Sequence, residues 1–211
     1  MKCEVPIAAE LVDELIPFWE SIFGEGPPDI GREVFLGAED EYSRSTLYLE
    51  QEGRKVAGTC FTMLSKTAPE VAGFAEVATD PQFRGRGIAT RLCGQAVEDF
   101  RAHGGQAFFL GTGNPVAARV YYRLGWRKLA GTNVMANISS GDSPEGFLVD
   151  YFRRPGKAVI ERAGPDVRVP IIPLIVTPHA WQVLDANVGL YSCRYCVQHS
   201  CMGLHLKYVR G

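Results

Sequence analysis

Apolar residues recur at helical spacing near the beginning of the chain. They fall on one face of a 3.6-residue repeat and are Ile7, Leu11, Leu15, Phe18, Ile22 and Phe23. Acidic residues stand among them, so the pattern predicts an amphipathic helix over residues 8–23. Gly24 is a typical residue to end this helix, and Pro17 is a candidate kink within it.

Residues 45–64 change to a pattern that is rich in β-branched and aromatic residues, STLYLEQEGRKVAGTCFTML. Gly53, in the EGRK turn, separates two such runs, which predicts a β-hairpin. A third strand, VAGFAEVAT, is predicted from Val71 and leads directly into DPQFRGRGIATRL, residues 80–92.

Helical spacing returns at Ile88 and is predicted to end at His103-Gly104-Gly105. The apolar run AFFLGT then predicts a buried strand. Asn114, followed by proline, is a favourable helix start, and this second helix is predicted to end at Gly125. The order strand, helix, strand, helix predicts a parallel βαβ unit.

The last third of the chain has a different composition. Two short strand-like runs, RKLAG and NVMANIS, follow Trp126, and the polar segment GDSPEG then indicates a boundary. Beyond it, proline, valine, isoleucine and aromatic residues dominate, as in RVPIIPLIVTPHAWQVLD, which predicts mostly β-structure with a short helix over residues 180–185. We therefore predict a first domain over residues 1–138 and a β-rich C-terminal extension over residues 139–211.

The composition is that of a globular protein. The chain has 211 residues, of which 46% are hydrophobic, enough for one packed domain with an appendage. A formal net charge of −2 gives no long-range attraction to nucleic acid or to anionic membranes, so neither partner is expected. The N-terminus does not have the pattern of a signal peptide. We therefore expect a cytoplasmic protein whose six cysteines are reduced thiols.

The stretch DPQFRGRGIATRL places two glycines among three arginines where a helix is predicted to begin. The first N–H groups of a helix lack partners and lie at the positive end of its dipole. Gly85 and Gly87 let a bulky anion approach these donors, while Arg84 and Arg86 add positive charge. The expected ligand is a phosphate or pyrophosphate, and the alternative is an ordinary solvent-exposed turn. The triphosphate-binding pattern GxxxxGK[ST] and the dinucleotide pattern GxGxxG are both absent.

Two runs of the chain resemble signatures of a known family. Residues 82–89, QFRGRGIA, resemble the Q/R-x-x-G-x-G/A coenzyme A signature of the GNAT acyltransferase superfamily. Residues 114–127 resemble the family pattern N-x-x-A-x-x-x-Y-x-x-x-G-F at Asn114, Ala117, Tyr121, Gly125 and Trp126, with tryptophan in place of the usual phenylalanine. The resemblance covers about residues 5–138. It implies an α+β fold, in which a mixed, splayed β-sheet is flanked by helices.

The resemblance also implies how acetyl-CoA binds as a co-substrate. The pantetheine arm would lie between the strand that ends at Thr79 and the strand that ends at Thr112. Backbone groups of the first strand would pair with pantetheine and the thioester carbonyl, and the glycine loop would hold the pyrophosphate. The implied cofactor-binding residues are Val77, Ala78, Thr79, Arg84, Gly85, Arg86, Gly87, Ile88, Ala89, Thr90 and Asn114.

Acyl transfer from a thioester to an amine requires a neutral amine, stabilisation of a tetrahedral oxyanion and a proton for the departing thiolate. The resemblance assigns that proton to Tyr121, with Tyr122 in reserve and a purely structural core aromatic as the alternative. Glu76, beside the implied thioester site, is the candidate base, acting directly or through water. An ordinary strand carboxylate that faces solvent or pairs with an arginine is the alternative for Glu76.

Several potential metal ligands lie close together near the C-terminus, namely Cys193, Cys196, His199, Cys201 and His205. Neither glycine nor proline shapes a zinc knuckle between the first two cysteines, so buried structural thiols are favoured and no metal is predicted. We expect the C-terminal extension either to cover the acceptor opening or to form a homodimer. Glu39, Asp40 and Glu41 suit a cationic amine, or an acidic face in contact with solvent.

These patterns together predict an acetyl-CoA-dependent N-acetyltransferase that moves an acetyl group directly to a primary amine of a small molecule or a peptide. The alternative is a non-catalytic acyl-CoA-binding regulatory or interaction protein that has kept the cofactor cleft. The presence of both Tyr121 and Glu76 favours catalysis.

Overall fold

The computed structural model of the chain describes residues 1–24, 30–153, 156, 157, 159 and 164–176. Within these residues, the strands are β1 (Lys2–Glu4), β2 (Ser43–Glu52), β3 (Lys55–Ser65), β4 (Val71–Thr79), β5 (Ala107–Gly111), β6 (Arg127–Lys128) and β7 (Val134–Ile138). The helices are α1 (Ala9–Phe23), α2 (Arg32–Phe35), α3 (Ile88–Ala102), α4 (Pro115–Arg123), α5 (Pro144–Phe152) and α6 (Ile171–Val176). Single 3₁₀ turns lie at Pro81–Phe83 and Pro165–Val167. No helix of the described part has both the length and the apolar character needed to cross a membrane.

The strands form one mixed sheet in the order β1-β2-β3-β4-β5-β7-β6. All neighbours are antiparallel except β4 and β5, which are parallel and are connected through α3. The predicted βαβ unit is therefore confirmed. The predicted hairpin of β2 and β3 is also present, and it turns at Gly53, whose φ of 64° requires a residue that tolerates the left-handed region.

Two short elements before residue 138 were not predicted from the sequence. Strand β1 has three residues and helix α2 has four, so neither is long enough to show a period. β1 exists because it pairs with β2, in a register that places Lys2 opposite Tyr48. Long-range pairing thus creates an element that has no local signal of its own.

Each face of the sheet has its own hydrophobic core. On one face, α1 and α2 pack through Trp19 and Phe35, whose ring centroids lie 4.9 Å apart, and Phe35 contacts Phe61 of the sheet at the same distance. On the other face, α3 and α4 cover an aromatic cluster of Phe74, Phe100, Phe108, Tyr121 and Trp126. Burial of these side chains is the main source of stability for both layers.

The described residues beyond 138 pack against the first core. Three of their side chains are fully buried there, namely Leu148 of α5, Ile172 of α6, and Val169, which precedes α6. The buried guanidinium of Arg168 makes a bidentate ion pair with Glu39, with Nε at 2.9 Å from Oε2. Breaking such a pair by removing one partner would cost about 3–5 kcal/mol, because a buried charge would be left uncompensated.

The extension beyond residue 138 was expected to be mostly β-structure, but its described elements include helices α5 and α6 and no strand. Leu148 of α5 and Ile172 of α6 are buried in the first core, so tertiary packing overrides the β-propensity of this part of the chain. Residues 177–211 lie outside the described residues, together with the predicted helix over 180–185 and the terminal cysteines and histidines. The domain boundary after residue 138 therefore stays a prediction.

Candidate functional site

Strands β4 and β5 pair at one end and part at the other. Their register covers only Val71–Gly73 against Ala107–Phe109. Beyond Gly73, no strand of the described part pairs with that edge of β4. On its other edge, Asp80 N–H donates to Ala57 C=O of the β3 side at 3.0 Å. Because consecutive residues of a strand direct their backbone groups to opposite edges, Val77 and Thr79 direct theirs to the open cleft.

A β-bulge interrupts β4 beside this cleft. Thr59 pairs with Ala78 and Phe61 with Ala75, so Glu76 and Val77 both lie opposite one residue of β3. Glu76 has a φ of 47°, the left-handed region that residues other than glycine rarely adopt. The side chain of Glu76 is half-buried at the bulge. The residue predicted as the base therefore occupies the most distorted position on the open part of β4.

Two buried side chains hold the backbone of the bulge. The hydroxyl of Thr59 donates to the carbonyl of Glu76 at an O···O distance of 2.6 Å. The indole N–H of Trp19 in turn donates to that hydroxyl at 2.9 Å. Sequence reasoning missed both residues, because Trp19 belongs to a helix and Thr59 to a strand forty positions away. No local pattern links them.

The glycine loop at the start of α3 has the shape of an anion cradle. Gly85 and Gly87 have φ values of 79° and 75°, and a Cβ built at Gly85 would meet no atom within 4 Å. The first backbone bond of α3 runs from Arg91 N–H to Gly87 C=O at 3.0 Å. The N–H groups of residues 88–90 therefore stay outside the helix ladder and are available to a ligand. The loop fits the phosphate group that the sequence predicts.

The arginines of the loop have different roles. Arg84 donates from Nε to Thr79 C=O at 3.2 Å, and the guanidinium of Arg86 lies 5.1 Å from the ring centroid of Phe83. Arg91 binds the carboxylate of Glu50 at 2.5 Å and donates to the carbonyl of Arg86 at 2.7 Å. Arg91 therefore ties the loop to strand β2, which the sequence did not indicate.

A glycine within β3 brings helix α3 close to the sheet. A Cβ at Gly58 would lie 2.6 Å from Cγ2 of Ile88 and 3.0 Å from the carbonyl oxygen of Ala78. Ile88 is itself buried, so only its backbone N–H faces the loop. A glycine inside a strand is the signal for such a close approach, and sequence reasoning did not use it.

Helix α4 carries the second motif. Its first turn is capped by Asn114, whose Oδ1 accepts from Val116 N–H at 2.9 Å and from Ala117 N–H at 3.4 Å. The structure separates the two adjacent tyrosines, because Tyr121 is buried while Tyr122 is 42% exposed. Tyr121 packs against Phe74, at the beginning of the open part of β4.

The phenol of Tyr121 is held in its protonated form. Burial raises its pKa well above the ordinary value, and the thiols of Cys93 and Cys60 nearby raise it further. Trp126 lies 5.8 Å from the Tyr121 ring, centroid to centroid, and is fully buried. Within the described residues, its indole N–H has no hydrogen-bond partner.

The acidic residues suggested for amine binding do not act as a group. Glu39 is buried and is neutralised by Arg168, so its charge is not available to a cationic amine. Asp40 accepts a hydrogen bond from Lys66 through its backbone carbonyl, and Glu41 is exposed. The expectation that Glu39 attracts a cationic amine is therefore wrong, and Glu39 instead has a structural role as the partner of Arg168.

The C-terminal region reaches the rim of the cleft through α5. Thr112, at the end of β5, donates its N–H to Asn133 C=O at 3.0 Å, so the turn between β6 and β7 flanks the cleft. Glu145 of α5 accepts from Ala130 N–H of the same turn at 3.1 Å. Whether the extension covers the acceptor opening or forms a dimer contact stays a prediction.

Comparison with known proteins identifies a family for most of this region. The model of the acetyltransferase (GNAT) family matches residues 8–126. An acetyltransferase of the GNAT family from Staphylococcus aureus Mu50 is 14% identical, with a TM-score of 0.51, over 66% of this chain and 100% of that one. No curated protein matches the sequence.

Two structures from Escherichia coli have slightly lower TM-scores. The ribosomal-protein-S18-alanine N-acetyltransferase is 14% identical, with a TM-score of 0.49, over 68% of this chain and 97% of that one. A GNAT family N-acetyltransferase (YhbS) in complex with CoA is 17% identical, with a TM-score of 0.48, over 66% and 81% of the two chains. At these identities the likeness to solved structures concerns the fold alone.

Proposed function

The chain belongs to the acetyltransferase (GNAT) family, and from this membership we propose that it transfers an acetyl group from acetyl-CoA to the primary amine of a small molecule or a peptide. Family membership supports acyl transfer as the class of reaction. One observation supports acetyl-CoA as the acyl donor. The open edge of β4 ends beside a glycine loop at the N-terminus of a helix, so an elongated ligand with a thioester and a pyrophosphate finds donors for both.

The residues present fit such a ligand. The cleft edge offers the backbone groups of Val77 and the N–H of Thr79, which no described strand occupies, and the loop has open space at Gly85. An unoccupied strand edge is a ready pairing surface for an extended, amide-containing chain such as pantetheine. Asn114, which already caps α4 through Oδ1, keeps its amide nitrogen for a further contact.

When bound, acetyl-CoA would supply an acetyl group as a thioester. The acetyl carbon would form a bond to the amine nitrogen as its bond to sulfur breaks, and coenzyme A would leave as the free thiol. The backbone N–H of Val77 orients the thioester carbonyl and stabilises the charge that develops on its oxygen. The hydroxyl of Tyr121 holds the proton that the departing sulfur requires. The carboxylate of Glu76, directly or through a water molecule, takes the proton that the amine loses.

The first experiment tests the anion cradle with a matched pair of variants. Coenzyme A should raise the melting temperature of the wild-type protein, because a ligand that binds only the folded state stabilises it. Gly87→Glu should abolish this shift by placing a carboxylate in the cradle. Gly53→Glu is the control, since Gly53 has a similar φ of 64° and open space around it but lies in the hairpin turn. An equal shift in both variants would place the pyrophosphate elsewhere.

The second experiment tests turnover. Release of free thiol from acetyl-CoA is measured with a panel of primary amines and peptide N-termini. We expect release that depends on both the amine and the enzyme, with the acetylated amine detected by mass spectrometry. Binding of CoA without thiol release for any amine of the panel would contradict the proposed catalysis and favour the acyl-CoA-binding alternative.

A further inference from the structure

We infer that Thr59, oriented by Trp19, is a positioning residue for acyl transfer, because its hydroxyl holds the β4 bulge in the conformation that presents Val77 to the cleft. The inference rests on the proposed function. It goes beyond that function by assigning a role to two side chains that do not line the cleft. Both are buried, Thr59 completely and Trp19 to all but 6% of its surface.

The hydroxyl of Thr59 forms two hydrogen bonds, accepting one from Trp19 and donating one to Glu76. A hydroxyl has one proton and two lone pairs, so it can donate only once. The indole N–H of Trp19 is a donor only, and it approaches the hydroxyl at 2.9 Å. The single proton of Thr59 is therefore directed to the carbonyl of Glu76, at an O···O distance of 2.6 Å.

The hydroxyl of Thr59 acts where the regular ladder between β3 and β4 is interrupted. Glu76 and Val77 share a single opposite residue on β3, so the spacing of the ladder hydrogen bonds is disrupted at the bulge. Buried backbone carbonyls at such irregular positions are commonly satisfied by side-chain donors. The Thr59 hydroxyl satisfies the carbonyl of Glu76 while that residue stays in the left-handed region, with its φ of 47°.

The consequence concerns the next residue in the chain. The peptide plane between Glu76 and Val77 contains both the carbonyl that Thr59 holds and the N–H of Val77. Because the peptide bond is planar, fixing the carbonyl fixes the direction of that N–H. Without the Thr59 hydroxyl the plane can rotate, and the N–H of Val77 no longer points steadily into the cleft.

The test compares Thr59→Val with Thr59→Ser and Trp19→Phe. Valine keeps the shape of threonine without the hydroxyl, and serine keeps the hydroxyl without the methyl group. Thr62→Val is the matched control, since Thr62 is also buried on β3, donates only a long 3.4 Å bond to Thr46 C=O, and pairs with Phe74, two positions before the bulge. Each variant is assayed for kcat, for CoA affinity by calorimetry, and for amide hydrogen exchange of β4.

We expect Thr59→Val to lower kcat roughly 10- to 100-fold while CoA affinity changes less than about threefold, because the lost alignment acts mainly in the transition state. Thr59→Ser should retain at least about half of the activity, and Trp19→Phe should fall between the two. In Thr59→Val, the amide of Ala78, the residue that pairs with Thr59, should exchange at least about tenfold faster, while the amides of residues 71–73 are unchanged. Thr62→Val should resemble the wild type in kcat.

A wild-type kcat and unchanged exchange in Thr59→Val would overturn the inference, as would a loss of activity in Thr59→Ser equal to that in Thr59→Val. A wild-type protein without acetyl transfer would instead overturn the proposed function. In that event, the exchange measurement on the free protein still decides whether Thr59 holds the bulge.

Discussion

Strand β4 consists of two halves that differ in what they pair with. In the first half, Val71–Gly73 pair with β5 on one edge, and Ala72 and Gly73 also pair with β3 on the other. In the second half, Phe74–Thr79 remain alongside β3 on one edge, but on the cleft edge they have no partner strand within the described residues. The first half is a regular, buried part of the sheet, while the second contains a bulge, a left-handed Glu76 and exposed backbone groups.

The difference shows how one strand can serve stability and chemistry. A strand that is paired on both edges satisfies its backbone and buries its side chains, so its residues contribute mainly to the free energy of folding. A strand edge without a partner leaves polar groups for a ligand, and this arrangement gives up stability at that place. Changes in the paired half should therefore affect stability, and changes around the open half should affect binding and turnover.

The largest expected effect is a loss of stability at Phe108 of β5, the strand that pairs with the first half of β4. Phe108 is fully buried opposite Ala72 and packs against Phe74 and Phe100, with centroid distances of 5.2 and 4.1 Å. Phe108→Ala should lower the free energy of unfolding by about 3–5 kcal/mol, since it removes buried surface and leaves a cavity. Denaturant titration measures this loss. CoA should still bind to this variant well below its melting temperature. Loss of CoA binding in a variant that is folded would contradict the view that the paired half affects only stability.

The next largest effect is expected at Tyr121, beside the open half, where turnover should fall while stability is kept. Tyr121→Phe should lower kcat roughly 10- to 1000-fold with little change in CoA affinity or in unfolding free energy, because the ring is kept and only the proton donor is lost. Steady-state kinetics and calorimetry separate these quantities. Tyr122→Phe, one residue away and 42% exposed, is the control and should retain activity. Impairment of Tyr122→Phe with full activity in Tyr121→Phe would move the acid to the neighbouring residue.

A smaller and more gradual effect should appear at alkaline pH. Burial raises the pKa values of Tyr121 and Tyr48 above the usual 10, and that of Cys60 above the usual 9. The folded state keeps these protons while the unfolded state releases them, so their stabilisation is complete below about pH 9 and is lost as the pH rises through the higher folded-state values.

Tyr121 allows a quantitative version of this prediction. Above the unfolded-state pKa it contributes a slope of about 1.4 kcal/mol per pH unit to the loss of stability. Tyr121→Phe should therefore show a correspondingly shallower decline of unfolding free energy between about pH 10 and 11. An unchanged slope in Tyr121→Phe would contradict the buried, protonated phenol.

The smallest effect should come from the outer support of the glycine loop. Glu50→Gln weakens the ion pair that holds Arg91, which in turn binds the carbonyl of Arg86. Both side chains are partly exposed, so we expect only about a two- to fivefold loss of CoA affinity, in keeping with the value of surface ion pairs. Glu52→Gln, farther along β2, is the control for charge. Equal losses in both variants would show a general charge effect.

The sequence by itself determined the elements whose signals are local. The period of α1, the hairpin turn at Gly53, the glycine loop before α3 and the Asn-Pro start of α4 all rest on residues within a few positions of one another, and each is present in the structure. Local backbone preferences and capping produce such features wherever the chain places them. The family motifs lie on these same elements, which is why the family was also recognisable.

Only the tertiary structure decided how these elements combine into a site. The bulge at Glu76 follows from the register between β3 and β4, and its support by Thr59 and Trp19 joins residues from three elements. The burial of Glu39 by Arg168 spans most of the chain, and it reversed an expectation drawn from composition. These contacts depend on which distant residues packing brings together, so no local sequence pattern predicts them. At the bulge, a one-residue shift in register would change every one of them.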